Sequence, residues 1–171
     1  ARLLPWKGCR ELVHALPAIR DKVPGTTLTI LGDGPERKNI EAEIVRLGLQ
    51  DAVLLLGRLP YHEAAQKVQE TKVFLLYTAY EGFSHQLVET MALGVPIVSS
   101  SAGGSAEVVR DGENALVVTF GDEPALIAAC VRLLTDDALA ARCSAQAVQD
   151  ATQYTVARTR DGLLAVLTNV C

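Results

Sequence analysis

Apolar residues along the chain form two alternating patterns, one typical of buried strands and the other of amphipathic helices. Five short runs are almost entirely apolar, as strands are when both faces of a parallel sheet are covered. Strands are predicted for these runs, at residues 27–31, 53–56, 73–78, 96–100 and 115–119.

Between the strands, apolar residues recur at spacings of three and four, the period of an amphipathic helix. Helices are predicted at residues 9–23, 35–47, 63–71 and 84–93, and three more follow the last strand at 122–135, 136–151 and 156–170. This alternation indicates an α/β fold with a doubly wound, Rossmann-like parallel sheet and a helical carboxyl-terminal tail. In such folds ligands bind at the carboxyl ends of the strands, so the loops there are the first candidates for a site.

The composition fits a folded domain without a nucleic-acid partner. The 171 residues correspond to one domain, since a domain has roughly 150 residues. Hydrophobic residues make up 49% of the chain and charged residues 21%, which is enough to bury a core. Sixteen Lys and Arg residues against twenty Asp and Glu residues give a net charge of −4, which disfavours binding to a nucleic-acid backbone.

The four cysteines, Cys9, Cys130, Cys143 and Cys171, are far apart and form no C-x-x-C pair. The histidines add no spacing typical of metal ligands, so no metal site is predicted. Buried free thiols fit a reducing compartment, and no apolar run reaches the ~18 residues that a membrane span needs. These features favour a cytoplasmic protein.

Three loops that follow predicted strands carry residues able to contact a ligand. The first, residues 30–35, contains Gly32 and Gly34 and leads a strand into a helix. Glycines let a backbone approach a ligand closely, but they also form plain tight turns, and both roles stay open here. The third glycine of the G-x-G-x-x-G fingerprint is missing.

The second loop, residues 80–89, reads Tyr-Glu-Gly-Phe-Ser-His-Gln-Leu-Val-Glu and enters a predicted helix. Amides at the helix N-terminus favour an anion such as phosphate. Glu81 precedes this turn and can reach hydroxyls beside that anion, while His85 and Glu89 share a face one helical turn apart. The pattern equally allows Glu81 to cap the helix and Glu89 to be merely solvated.

The third loop, residues 100–107, leads another strand into a short helix through Gly103 and Gly104. It can add a second edge rich in backbone amides, or its glycines can serve chain reversal alone. Arg2 and Lys7 lie before the first helix, where basic side chains can neutralise a phosphate. Exposed basic residues are usually just solvated. Arg2 and Lys7 therefore indicate a phosphate site only in combination with the three loops.

Taken in order, these motifs resemble the carboxyl-terminal half of retaining glycosyltransferases of the GT-B fold, the group that contains glycogen synthases and many mannosyl- and glucosyltransferases. The matching segments are Arg-Leu-Leu-Pro-Trp-Lys-Gly at 2–8, Leu-Gly-Asp-Gly-Pro at 31–35, Glu-Gly-Phe-Ser and Glu-x-Met-Ala-x-Gly-Val-Pro at 81–96, and Ala-Gly-Gly with a later Glu at 102–107. One such motif is weak, whereas the ordered set is specific.

The resemblance implies a UDP-, GDP- or ADP-sugar as substrate, with no further cofactor and no metal ion. Arg2 and Lys7 would neutralise the diphosphate of this donor, and Glu81, the first acid of the E-x7-E motif, would contact the transferred sugar. These three residues form the catalytic set that the resemblance implies. The other donor-binding residues it implies are Arg58 and Leu59 at the nucleobase, Gly82 and Phe83 at the sugar, Ser84, His85 and Gln86 at the phosphates, and Glu89 at the ribose.

For the whole protein, the resemblance implies a hexosyltransferase of polysaccharide biosynthesis that moves a sugar to an acceptor glycan or lipid. An N-terminal domain would hold the acceptor, and residues 1–171 would form the donor-binding domain, inactive without that partner. The enzyme would work in the cytoplasm, or at the inner face of the membrane through peripheral association.

Two features depart from the family pattern. The family's first strand ends at a glycine whose place is taken by Ala1, and that strand lies at the centre of the sheet. Its absence would leave backbone groups unpaired at a cost of ~1–3 kcal/mol for each buried group. We therefore expect either that the chain is cut from a longer one or that another segment fills the slot. His85 replaces a residue that is usually apolar, and either touches the donor or is a partly exposed helix residue.

Two other functions stay open from the sequence alone. A sugar-nucleotide epimerase of similar architecture would handle the same donors without transferring a sugar. A non-catalytic nucleotide-binding module similar to a receiver domain is the third class, but a receiver needs a cluster of acids after its first strand, which is missing here. The nucleobase, the sugar and the acceptor are not identified by the motifs.

Overall fold

The computed structural model describes residues 2–168, in which parallel strands alternate with helices. The strands are β1 (Leu28–Leu31), β2 (Val53–Gly57), β3 (Phe74–Leu76), β4 (Ile97–Ser100) and β5 (Leu116–Val118). The helices are α1 (Cys9–Lys22), α2 (Arg37–Arg46), α3 (Tyr61–Gln69), α4 (His85–Ala92), α5 (Glu123–Thr135), α6 (Asp137–Ala151) and α7 (Val156–Thr168). Two 3-10 helices, Pro5–Lys7 and Gly103–Glu107, precede α1 and follow β4. The predicted α/β class and helical tail are confirmed.

The strands form two separate parallel sheets in the described part of the chain, instead of the single sheet that the alternation predicts. One sheet consists of β1 and β2, and the other has the order β3-β4-β5. The division falls between β1 and β3, and no strand within residues 2–168 occupies that position. Whether another segment fills this position stays a prediction.

Helix α1 joins the two sheets because it contributes buried side chains to two apolar clusters. Val13 and Leu16 pack in the cluster around β1, β2 and α2, whereas Leu12 and Ile19 pack in the cluster around β4, β5, α5 and α6. A third cluster lies between α4, β4 and the end of α6. Apolar residues on two faces of one helix therefore hold the halves of the domain together.

The start of α1 is fixed by a close backbone contact at Gly8. This residue has a φ of +64° and is buried, and a Cβ built on it would lie 2.1 Å from the carbonyl oxygen of Tyr77. Only glycine avoids both the left-handed backbone strain and this overlap. The contact seats the first turn of α1 against the segment after β3 and thereby positions the neighbouring Lys7.

The cysteines within the described residues are free thiols. Cys130 and Cys143 are buried and Cys9 is half-buried. Burial raises the pKa of the Cys130 thiol to about 12, so this thiol stays protonated and unreactive near neutral pH. Cys171 lies outside the described residues.

The described residues contain neither a helix long and apolar enough to cross a membrane nor a cluster of three potential metal ligands. The last predicted helix, which was expected to reach Val170, is described as far as Thr168. Val170 lies outside the described residues, as does Ala1.

Asp150, near the end of α6, is buried and connects this helix to the segment after the second 3-10 helix. Its carboxylate accepts hydrogen bonds from Arg110 Nη2 at 2.7 Å, Asn114 Nδ2 at 2.8 Å and Gln146 Nε2 at 3.0 Å. Burial raises the pKa of this carboxyl, but the three hydrogen bonds outweigh that effect and lower the pKa below its usual value. The carboxylate therefore stabilises the fold in its ionised form.

Replacing Asp150 by alanine is expected to lower the free energy of unfolding by ~2 kcal/mol at pH 7, because the buried amide of Asn114 and the guanidinium of Arg110 lose their charged acceptor. Because the folded-state pKa is depressed, this contribution is present above the unfolded pKa of ~3.9 and is lost as the pH falls through the folded value. Urea unfolding of wild type and variant from pH 7 to pH 3 measures it. Asp51→Ala, an exposed loop position, is the control. A stability difference that stays constant over this range would contradict the prediction.

Candidate functional site

An ion pair between two segments distant in sequence marks the candidate site. The Nζ of Lys7 lies 2.5 Å from the Oε2 of Glu81, and each side chain is only 16% exposed. Lys7 ends the first 3-10 helix, and Glu81 lies in the loop between β3 and α4. The fold therefore brings together two of the three residues assigned to the catalytic set.

Hydrogen bonds behind this pair hold both segments at the carboxyl end of β3. The amide of Ala79 donates to the carbonyl oxygen of Trp6 at 2.8 Å, and the Thr78 hydroxyl lies 2.9 Å from the same oxygen. The hydroxyl of Ser100, at the end of β4, accepts from the amide of Thr78 at 2.8 Å. Thr78 and Ser100 are buried, so the loop that carries Glu81 starts from a rigid base.

The N-terminus of α4 lies directly after this loop. Ser84 is buried and caps the helix, its hydroxyl accepting from the Leu87 amide at 3.4 Å. In the described part of the chain, the amides of Gly82, Phe83, His85 and Gln86 donate no hydrogen bond. Open amides at a helix N-terminus attract anions, because the helix dipole is positive there.

The loop of residues 81–83 is held from behind by the two glycines of the second 3-10 helix. The amide of Gly104 donates to the carbonyl oxygen of Glu81 at 3.0 Å. A Cβ at Gly103 would lie 2.1 Å from that oxygen, and one at Gly104 would lie 2.5 Å from the oxygen of Gly82. The paired glycines thus allow the two backbone segments to come into contact. The only sequence signal for this role was the occurrence of two glycines after a strand.

The first glycine loop also makes a close backbone contact. A Cβ at Gly34 would lie 2.3 Å from the carbonyl oxygen of Leu3, whose amide donates to Asp33 at 3.0 Å. These contacts fit a role in tight chain packing, and contact of this loop with a ligand stays a prediction. Arg2 is exposed next to this contact, and its backbone forms a parallel bridge with Asp33.

The remaining predicted residues lie outside the Lys7–Glu81 ion pair. Arg58 is exposed and Leu59 half-buried in the loop after β2, which touches the first glycine loop through a Gly32–Gly57 backbone hydrogen bond of 2.7 Å. Within the described residues, no hydrogen bond or ion pair links Arg2, Arg58 or Leu59 to the Lys7–Glu81 pair. Glu89 is exposed on α4, one helical turn beyond His85.

Aromatic rings cover one side of the α4 N-terminus. The exposed ring of His85 stands edge-on to Phe83, with centroids 5.4 Å apart, and Tyr154 lies 5.6 Å from Phe83 on the other side. Tyr154, between α6 and α7, was not singled out by the sequence, since no motif surrounds it. His85 is therefore an exposed helix residue with an aromatic neighbour, and its contact with a ligand stays a prediction.

The arrangement combines a cation and a carboxylate in one ion pair with open amides in the residues that follow the carboxylate. A lysine ammonium and a helix N-terminus suit a phosphate group, whereas a half-buried carboxylate suits hydroxyl groups. Because Lys7 is paired with Glu81, a bound phosphate would compete for the ammonium and free the carboxylate to accept other hydrogen bonds. The site is thus suited to a ligand with phosphate and hydroxyl groups side by side.

Comparison with known proteins shows similarity over almost the whole chain. A family model described as "Glycosyl transferases group 1" matches residues 1–150. The GDP-mannose-dependent alpha-(1-6)-phosphatidylinositol monomannoside mannosyltransferase of Mycolicibacterium smegmatis is 33% identical over 148 residues, which cover 82% of this chain and 39% of that protein. Glycogen synthase of Mycobacterium tuberculosis is 32% identical over 148 residues, covering 86% of this chain and 36% of that protein.

Solved structures show the same similarity in three dimensions. The crystal structure of Anabaena Alr3699/HepE in complex with UDP has a TM-score of 0.90 and 28% identity, and the match covers 99% of this chain and 47% of that one. The complex of the same protein with UDP-glucose gives a TM-score of 0.89. The chain spans less than half the length of each of these relatives.

Proposed function

Because the chain belongs to the glycosyl transferases group 1 family, we propose that the site around Lys7 and Glu81 binds the nucleoside diphosphate sugar from which a sugar is transferred. The family is enzymatic, and similar solved structures contain UDP or UDP-glucose. The α/β fold described here is the Rossmann-like half of a GT-B architecture.

The observation that carries the proposal is the ion pair of Lys7 and Glu81 beside the open N-terminus of α4. In the proposed complex, Lys7 and the amides of His85 and Gln86 hold the diphosphate, and Arg2 adds a second positive charge. Glu81 turns to the hydroxyls of the sugar, together with the amides of Gly82 and Phe83. A donor carries these two kinds of group side by side, as the site requires.

In the proposed complex, the nucleoside extends from the diphosphate towards α4 on one side and the loop after β2 on the other. Glu89, exposed on α4, accepts hydrogen bonds from the ribose hydroxyls, and the loop at Arg58 and Leu59 lies against the base. One relative is named for GDP-mannose and one solved structure contains UDP, so uridine, guanosine and adenosine diphosphates are the ligands to compare.

During transfer, the diphosphate leaves with additional negative charge, which Lys7, Arg2 and the α4 amides stabilise without a metal ion. Fixed donors aimed at developing charge lower the barrier because they need no reorganisation when the bond breaks. The acceptor hydroxyl forms its bond to the anomeric carbon on the face from which the diphosphate departs, so the anomeric configuration is retained, and its proton passes to the departing phosphate oxygen. Neither the Lys7 ammonium nor the amides need change protonation for this role.

For the whole protein, we propose a hexosyltransferase whose acceptor, a glycan or a lipid, is bound by a further N-terminal domain. The match covers 36–39% of the mannosyltransferase and the glycogen synthase described above, which leaves room in such proteins for a second domain. Transfer then requires both domains, in the cytoplasm or at the inner face of the membrane. The donor side of the reaction belongs to the residues described here.

Replacing Lys7 by alanine is expected to raise the dissociation constant of the preferred nucleoside diphosphate by ~10-fold, as loss of one charge-assisted hydrogen bond would. Calorimetric titration of UDP, GDP and ADP measures this change. Lys67→Ala is the matched control, because Lys67 also pairs with a glutamate, Glu70, at 2.7 Å, but lies exposed on α3. Equal affinities for wild type and both variants would refute the assignment of Lys7.

A further inference from the structure

Two exposed aromatic side chains border the Lys7–Glu81 ion pair. Trp6 directly precedes Lys7 and is 44% exposed, and Tyr80 directly precedes Glu81 and is 70% exposed. Large aromatic side chains carry much apolar surface, and most of that surface is usually covered in a folded protein. Aromatic surface left open beside a few charged groups is a feature of ligand sites.

These two aromatic residues belong to segments that are in backbone contact. The carbonyl oxygen of Trp6 accepts from the amide of Ala79 at 2.8 Å, and the hydroxyl of Thr78 lies 2.9 Å from the same oxygen. That hydroxyl also lies 2.8 Å from the carbonyl oxygen of Tyr80. Because Thr78 is buried and its hydroxyl joins both main chains, Trp6 and Tyr80 are held side by side beyond the end of β3. We call these two side chains the Trp6–Tyr80 platform.

The side chains of the platform are not engaged by the rest of the fold. Within residues 2–168, the hydrogen bonds of Trp6 and Tyr80 to other segments use only backbone oxygens, so the indole N–H and the phenolic hydroxyl have no partner. Neither ring packs on another aromatic ring in this part of the chain. Phe83, which is also exposed near the ion pair, differs because it packs on His85 and Tyr154. The platform thus offers ring surface and two polar groups to a ligand.

The surroundings of the platform fit a sugar ring better than a lipid chain. A pyranose has an apolar face of C–H groups, which packs on an aromatic ring, and a rim of hydroxyls, which bond to polar groups. Charged groups stand next to both rings, since Lys7 follows Trp6 and Glu81 follows Tyr80. A lipid chain instead needs continuous apolar surface, because each charged group that it covers loses water.

We infer that the Trp6–Tyr80 platform binds a sugar ring of the acceptor, so that the reacting part of the acceptor is a sugar and not a lipid alcohol. The inference rests on the proposed function, in which Glu81 contacts the sugar that is transferred. The reacting hydroxyl of the acceptor has to reach the anomeric carbon of that sugar. The part of the acceptor that carries this hydroxyl therefore comes next to the groups that border Glu81, which include both rings of the platform.

Fluorescence gives a direct test, because Trp6 is the single tryptophan of the 171-residue sequence. The chain is titrated with the methyl α-glycosides of glucose, mannose, galactose and N-acetylglucosamine, each in the presence and in the absence of the preferred nucleoside diphosphate. At least one of these sugars is expected to shift the emission of Trp6 in a saturable way, with a millimolar dissociation constant.

Tyr80→Ala removes one ring of the platform and keeps the tryptophan signal. This variant is expected to raise the dissociation constant of the sugar by ~5-fold or more, as the loss of one aromatic contact would. Its affinity for the nucleoside diphosphate should equal that of the wild type, because Lys7 and the open amides beside α4 are unaltered. Tyr61→Ala is the matched control, since Tyr61 is also 70% exposed but lies at the start of α3. The control should change neither affinity.

Three results would overturn the inference. Unchanged emission with all four sugars, in a chain that binds its nucleotide, would mean that the platform takes no sugar. Equal sugar affinity in the wild type and Tyr80→Ala would place the sugar elsewhere. A shift on phosphatidylglycerol vesicles, with none on the sugars, would assign the platform to a membrane. A chain that binds no nucleoside diphosphate contradicts the proposed function instead, and the titration without nucleotide then decides whether the platform binds a sugar.

Discussion

Replacing Glu81 by glutamine is expected to reduce sugar transfer by the complete protein by ~100-fold or more. Glutamine keeps the shape of the side chain but removes the negative charge that stabilises positive charge on the sugar as the bond to the diphosphate breaks. The half-buried position of Glu81 strengthens this interaction, because water screens it poorly. Rates of sugar transfer with the preferred donor measure the effect.

The same variant should bind the nucleoside diphosphate with an affinity equal to that of the wild type or higher, because Lys7 is no longer held by Glu81. Glu70→Gln is the matched control, since Glu70 also pairs with a lysine but is exposed at the end of α3. A parallel loss of nucleotide affinity and transfer rate in Glu81→Gln would contradict the separate roles of Glu81 and Lys7. Loss of both in Glu70→Gln would point to a general effect on folding.

The largest effect on stability is expected at Gly8. Alanine there combines a left-handed backbone, which costs ~1–2 kcal/mol, with a Cβ placed 2.1 Å from the Tyr77 carbonyl oxygen. Since that oxygen belongs to the backbone, the first turn of α1 has to move. We expect the free energy of unfolding to fall by ~3 kcal/mol or more in Gly8→Ala, counting the additional cost of overpacking.

Gly48→Ala separates the cost of the left-handed backbone from the cost of the overlap with a neighbouring atom. Gly48 has a φ of +66°, almost that of Gly8, but nothing lies within 4 Å of the Cβ position. This control should lose only ~1 kcal/mol, the cost of the backbone conformation alone. Urea unfolding of both variants gives the comparison, and equal losses would show that the contact between Gly8 and Tyr77 does not constrain α1.

Local patterns were sufficient for most of the fold. Apolar runs placed the five strands, and helical periodicity placed the seven helices within a few residues. Helix α3 begins at Tyr61, two residues earlier than predicted, because Pro60 ends the preceding loop and the exposed first turn has no apolar periodicity. Helix α2 begins at Arg37, so Pro35 lies in the turn before it.

Contacts at the site between residues far apart in sequence could not be predicted from the local sequence pattern. Lys7 and Glu81 were both singled out, but they are 74 residues apart and nothing local indicates that they form an ion pair. The backbone contact of Gly103 with Glu81 was also missed, since a glycine after a strand equally predicts a turn. Tyr154 packs on Phe83 only because α6 returns its end to the site.

Titration of the isotope-labelled chain with UDP, GDP and ADP, followed through its backbone amide resonances, tests directly whether the site at Lys7 and Glu81 binds a nucleoside diphosphate. We expect that one of the three binds and that the largest shifts occur at the four open amides beside α4, those of Gly82, Phe83, His85 and Gln86. A folded chain that binds none of the three at millimolar concentration would contradict the assignment of this site. Shifts confined to residues away from Lys7, Glu81 and the α4 N-terminus would contradict it equally.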